Sequence, residues 1–99
     1  MSRNIERMQR ARDMALVKSF GAVLRQMRSA AGWTQEQLAF EAGIDRTFVG
    51  LLESGRRQPS LSVVFALAAA LGNSPEDIVR LTREAYASGI HAPEPELGR

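Results

Sequence analysis

The chain of 99 residues contains no cysteine and only one histidine, one tryptophan and one tyrosine. Without thiols neither a disulfide nor a thiolate metal site can form. The fold must therefore rest on a packed core, which a chain of this length can build as one modest domain. The single histidine, His91, stands in a proline-containing tail, where a solvated side chain is expected rather than a ligand. No apolar run approaches membrane-spanning length. The N-terminus is interleaved with arginines and lacks the apolar stretch of a secretory signal, so a soluble cytoplasmic protein is expected. A glycine-rich phosphate loop, an H-E-x-x-H helix and a G-x-S-x-G elbow are all missing. The acids form no pair with the spacing for general acid–base work. Neither an enzyme nor a metal or cofactor is expected.

Lysine is also nearly absent, since twelve of the thirteen basic residues are arginine. Arginine is the better side chain for planar, two-pronged contacts with phosphate and guanine. The net charge of +2 is too small to announce nucleic acid, but it is unevenly spread. Residues 1–28 carry seven basic groups against Glu6 and Asp13, whereas residues 74–99 carry five acids against three arginines. An ordinary solvated surface would look much the same, so charge supports a nucleic-acid reading without establishing it.

The most structured stretch runs from Thr34 to Gly55, T-Q-E-Q-L-A-F-E-A-G-I-D-R-T-F-V-G-L-L-E-S-G. Thr34 with Gln37 three residues later forms a capping box, which starts a helix near Gln35. Leu38, Ala39 and Ala42 give that helix one narrow apolar face. Gly43 supplies a turn and Asp45 an N-cap, so a second helix begins near Arg46 and stops at Gly55. On a helical wheel Val49 and Leu52 face inward while Arg46, Thr47, Gly50 and Leu51 face outward. A helix with a forked donor and a hydroxyl in its first turn can read a major groove, and the pair reads as a helix-turn-helix.

With T-Q-E-x-L-A, then A-G-I, then E-x-G-x-R-x-P-S-L in order and spacing, residues 17–83 resemble the Cro/repressor-type helix-turn-helix family. The string D-R-T-F-V is similar to D-R-T-Y-I in controller proteins of restriction–modification systems. The resemblance implies an all-α, five-helix domain that binds double-stranded DNA as a homodimer on a pseudo-palindromic operator. It implies a transcriptional regulator, in the controller case one acting on restriction–modification genes, with RNA polymerase as a further candidate partner. It also implies an ion pair between Arg28, late in the first helix, and Glu53, near the end of the third. Two other classes compete: an antitoxin that represses its own operon, and a helical adaptor that binds only protein. The antitoxin would need a toxin-binding surface, for which the N-terminal extension is the one candidate segment. The adaptor would leave Arg46, Arg56 and Arg57 unexplained.

Around this motif the chain divides into a basic extension (1–15), a body (16–88) and a tail (89–99). The extension has no Gly or Pro and a weak stripe of Ile5, Met8, Ala15 and Leu16. A DNA-contacting arm, an added helix and a frayed end all remain open. The first helix of the body is expected from Leu16 to Ala30, with Leu16, Phe20, Val23, Leu24, Met27 and Ala31 on its core face. Trp33 is placed to pack where this helix meets the next. Ser60 after Pro59 starts a fourth helix, Leu61 to Leu71, which is apolar nearly all round. Leu61, Val64, Leu67, Ala68 and Leu71 suffice for its core side, which leaves Phe65, Ala66 and Ala69 over. Ser74-Pro75-Glu76-Asp77 starts a fifth helix reaching about Ser88, with Ile78, Leu81 and Ala85 on one face and Val79 and Tyr86 on another. The surplus residues Phe65, Ala66, Ala69, Val79 and Tyr86 predict a twofold interface.

For DNA, Arg46 suits guanine and Thr47 a hydroxyl or methyl contact, both in the first turn of the third helix. Phe48 stands at the edge of that face and could touch a thymine methyl or simply pack on the core. Gly50 and Leu51 lie on the same face, but they depart from the controller-like pattern and offer few base hydrogen bonds. Gln35 at the start of the second helix can hold a phosphate. Arg56 and Arg57 are placed as phosphate anchors or, more simply, as a solvated turn.

Overall fold

A computed structural model describes residues 13–89. Five helices follow one another: α1 (Met14–Ala30), α2 (Gln35–Ala42), α3 (Arg46–Glu53), α4 (Leu61–Ala70) and α5 (Pro75–Ala87). No strand occurs among the described residues. The local reasons for these boundaries are visible at the caps. Gln37 N–H donates to Thr34 Oγ1 at 3.0 Å, and Thr34 N–H donates back to Gln37 Oε1 at 2.8 Å. Ser60 and Ser74 accept from the backbone of Val63 and Asp77 in the same manner. All five starts fall at or close to the expected positions, and only the capping of α3 differs. Helix α1 begins at Met14, because the Asp13 carboxylate accepts from Leu16 N–H, so the last residues of the extension belong to the body. Asp45 occupies the N-cap position of α3, but its side chain makes no capping hydrogen bond. Most of the extension (1–12) and the tail beyond Gly89 lie outside the described residues.

The long α1 packs on both α5 and α3, α2 packs on α3 and α4, and α4 closes against α5. Leu24, Leu38, Val49, Leu52, Leu67 and Ile78 meet at the centre with no solvent exposure. Three residues expected inside are not there. Leu16 and Leu61 are 41% and 72% exposed, and Ala31 is exposed as the C-cap of α1. Both leucines sit in the first turn of their helices. Helical side chains lean toward the N-terminus, so these two reach toward the helix start, where the described residues leave them largely uncovered. Val17 and Ser19 are buried in α1 instead. Ser19 is accommodated because its hydroxyl donates to the Ala15 carbonyl at 2.9 Å.

The placement of α3 depends on two glycines. Gly21 lies in the middle of α1, where glycine costs a helix about 1 kcal/mol relative to alanine. A Cβ at that position would stand 2.4 Å from the Leu52 carbonyl oxygen and 2.7 Å from that of Glu53. The missing side chain is what lets the two backbones approach. Gly55, at φ +75°, ends α3 with Gly55 N–H donating to the Leu52 carbonyl and Arg56 N–H to the Leu51 carbonyl. A Cβ there would also strike Lys18, 2.5 Å away. No helix among the described residues is long and apolar enough to cross a membrane.

Candidate nucleic-acid interface

Helices α2 and α3 are joined by Gly43, in the left-handed conformation at φ 74°, and by Ile44 and Asp45. Ile44 N–H donates to the Ala39 carbonyl, which closes the end of α2. Val49 and Leu52 fix the inner side of α3 in the core, which turns Arg46 and Thr47 outward into solvent. Gly50 and Leu51 are half-buried on the second turn of that outer side. Phe48, one of the residues with two readings, is half-buried and packs against the core cluster. Trp33 does the same at the junction of α1 and α2. Arg56 and Arg57 follow α3 directly and are exposed. No carboxylate among the described residues pairs with Arg46, Arg56 or Arg57. Their charge is therefore available to an outside anion.

Behind this face lies a buried polar cluster. Arg28 on α1 donates to both oxygens of Glu53, Nε to Oε2 at 2.6 Å and Nη2 to Oε1 at 3.0 Å. Its remaining arm, Nη1, donates to the Trp33 carbonyl at 2.7 Å. The guanidinium thus joins the end of α1, the turn after it and the last residue of α3. The hydrogen bond to Glu53 holds Arg28 above its ordinary pKa, against the opposing effect of burial. Glu53 is only 4% exposed, so an unmatched charge there would be costly; the two-pronged geometry supplies the match.

Gln35 adds a third link that its position in the sequence did not reveal. Its Nε2 donates to Glu53 Oε1 at 3.1 Å, and the amide lies beside Gly50, 3.7 Å from where a Cβ would stand. One amide hydrogen is thereby committed inside the protein, which leaves the other and Oε1 for an outside group. Gly21 was likewise missed, since nothing in a helical apolar pattern marks a backbone contact. The one available signal was a glycine in the middle of a helix.

The surplus apolar residues divide between two places. Phe65 and Ala69 are exposed on α4 and Ala66 is half-buried. Val79 and Tyr86 on α5 line an apolar groove of about 390 Å³ together with Leu16, Phe20 and Pro59. The Tyr86 hydroxyl also donates to the Asp13 carboxylate, which ties the end of α5 to the start of α1.

A short capped helix, a left-handed turn and a second helix with exposed arginines on and after it define a helix-turn-helix unit. The model of the helix-turn-helix domain family matches residues 19–81, and the chain belongs to that family. It is similar to control protein C.BamHI of Bacillus amyloliquefaciens, 39% identical over 64 residues, which is 64% of this chain and 79% of that protein. Among solved structures it is similar to the restriction–modification controller protein C.AhdI from Aeromonas hydrophila. That likeness has 44% identity and a TM-score of 0.62, over 63% of this chain and 94% of the other. The clp gene regulator ClgR from Corynebacterium glutamicum shares 29% identity at a TM-score of 0.70, over 74% and 78% of the two chains.

Proposed function

We propose that this DNA-binding transcriptional regulator acts as a homodimer on a pseudo-palindromic operator and controls restriction–modification genes. The observation that carries this reading is the outward first turn of α3, where Arg46 and Thr47 stand in solvent with no side-chain partner among the described residues. Arg46 suits the O6 and N7 of a guanine, and Thr47 a hydrogen bond or the methyl of a thymine. Arg56 and Arg57, the α2 N-terminus and the free part of the Gln35 amide hold backbone phosphates. Leu51 and Gly50 add surface contact but no base hydrogen bond. Phe48, drawn toward the core, contributes at most its exposed edge.

Two copies pair through α4 and α5, where Phe65, Ala69, Val79 and Tyr86 remain exposed. A twofold of this kind sets two α3 helices about 34–36 Å apart, one turn of DNA. In an activating arrangement the bound dimer also meets RNA polymerase at a promoter in the cytoplasm. Selection of bound duplexes from a random pool tests the whole reading. A symmetric motif with half-sites about one DNA turn apart is expected, and an asymmetric motif or no enrichment would overturn it. Phe65→Glu should give monomers in sedimentation and weaker operator binding; an intact dimer would move the interface off α4.

A further inference from the structure

Beside the recognition helix is a polar notch of about 240 Å³, lined by Arg25, Arg28, Gln35, Gly50, Glu53 and Ser54. Its charges do not balance. Glu53 is fully engaged by Arg28 and Gln35, so the negative charge in the notch is already spent. Arg25, one turn before Arg28 on α1, is exposed, and no carboxylate among the described residues pairs with it. A second guanidinium beside Arg28 gains no carboxylate among the described residues and adds like-charge repulsion. The space is kept open at position 50, where glycine leaves the floor without a side chain. The notch also adjoins two groups of the DNA-facing surface, Gly50 on the outer side of α3 and the Gln35 amide.

We infer that this notch receives a backbone phosphate of the bound DNA, and that Arg25 on α1 is its charged anchor. The inference rests on the DNA-binding reading above and extends the contact surface to a third helix. Gln35 contributes the amide hydrogen it does not share with Glu53. Arg28, held by Glu53 and the Trp33 carbonyl, keeps the notch in shape. A phosphate contact positions the protein without reading sequence, so Arg25 should add affinity for any duplex and no base preference.

The test measures binding of the full chain to its selected operator and to a random duplex across a range of salt concentrations. Arg25→Ala should lower both affinities by the same factor and flatten the logarithmic salt slope by about one per protomer. Arg25→Lys should recover most of the slope, because a phosphate accepts a point charge. Arg80→Ala, which removes a cation paired with Asp77 and Glu84 on α5, should leave the slope as it is. An unchanged slope for Arg25→Ala, with Arg57→Ala flattened, would overturn the notch while leaving the DNA-binding reading intact. A loss confined to the operator would also overturn it, by making Arg25 a base contact. If the wild-type chain bound no duplex at all, both readings would fall together.

Discussion

The two ends of α3 are built on opposite terms. At its C-terminal end the Leu52 and Glu53 carbonyls press against Gly21, Glu53 is clasped by Arg28 and Gln35, and Gly55 fits closely over Lys18. At its N-terminal end Asp45 makes no capping hydrogen bond, and Arg46 and Thr47 project into solvent. One end is over-determined and the other is left to find its partners elsewhere. An eight-residue helix is about 12 Å long, so fixing one end against the long α1 also fixes where the other points. The exposed side chains of Arg46 and Thr47 take no part in that placement.

The contrast can be broken most severely at Glu53. Glu53→Ala leaves the half-buried Arg28 without its counter-ion and should cost about 3–5 kcal/mol, read as a large fall in melting temperature. A melting temperature within a degree of wild type would deny the cluster its structural part. Next comes Gly21→Ala. Alanine gains about 1 kcal/mol of helix propensity, but overpacking costs about 1–3 kcal/mol, and the methyl would meet carbonyls of a neighbouring backbone that cannot rotate away. The clash should win, so chemical denaturation should show net destabilisation; a more stable variant would mean that α1 and α3 can separate cheaply.

The free end should respond in binding and not in stability. Arg46→Ala should cost about 1–3 kcal/mol on the operator and relax one base pair per half-site, whereas Arg57→Ala should weaken all duplexes alike. Equal losses on operator and random DNA for Arg46→Ala would reduce it to a phosphate contact. The smallest effect sharpens the comparison at the caps. Thr34→Ala removes an observed capping box and should cost about 1 kcal/mol. Asp45→Ala removes no hydrogen bond and should lie within about 0.5 kcal/mol of wild type, the range of an ordinary surface change. Matching losses at the two caps would show that Asp45 acts through charge at the helix terminus.

What could be read from the chain follows the same division. Residues whose role is local announced themselves: Thr34 with Gln37, Ser60, and Ser74 before Pro75 start helices for reasons contained within four residues. The outward set of α3 followed from periodicity, because Val49 and Leu52 must turn inward. Contacts made across the fold left weaker traces. The meeting of Arg28 with Glu53 was expected only through family resemblance, since the two lie 25 positions apart. Gln35 looked like a free helix-terminal amide because its second partner is supplied by another helix. Leu16 and Leu61 satisfied the apolar spacing, yet periodicity cannot tell where the neighbouring elements end. Asp45 has the right residue type at the right position, but a capping side chain must also turn back toward its own helix, and this one does not.

The link between Tyr86 and Asp13 bears on the outline of the whole domain. It brings the last turn of α5 to the N-cap of α1, so the path through the five helices nearly closes into a ring. The described residues begin and end at one edge, on the side of the α1–α5 seam. A short linker could therefore join Gly89 to Asp13, and new termini could be opened at the exposed Gly72–Asn73 turn without cutting any described helix. Such a permuted chain would keep every helix and every contact behind α3 while reversing which half of the fold is synthesised first.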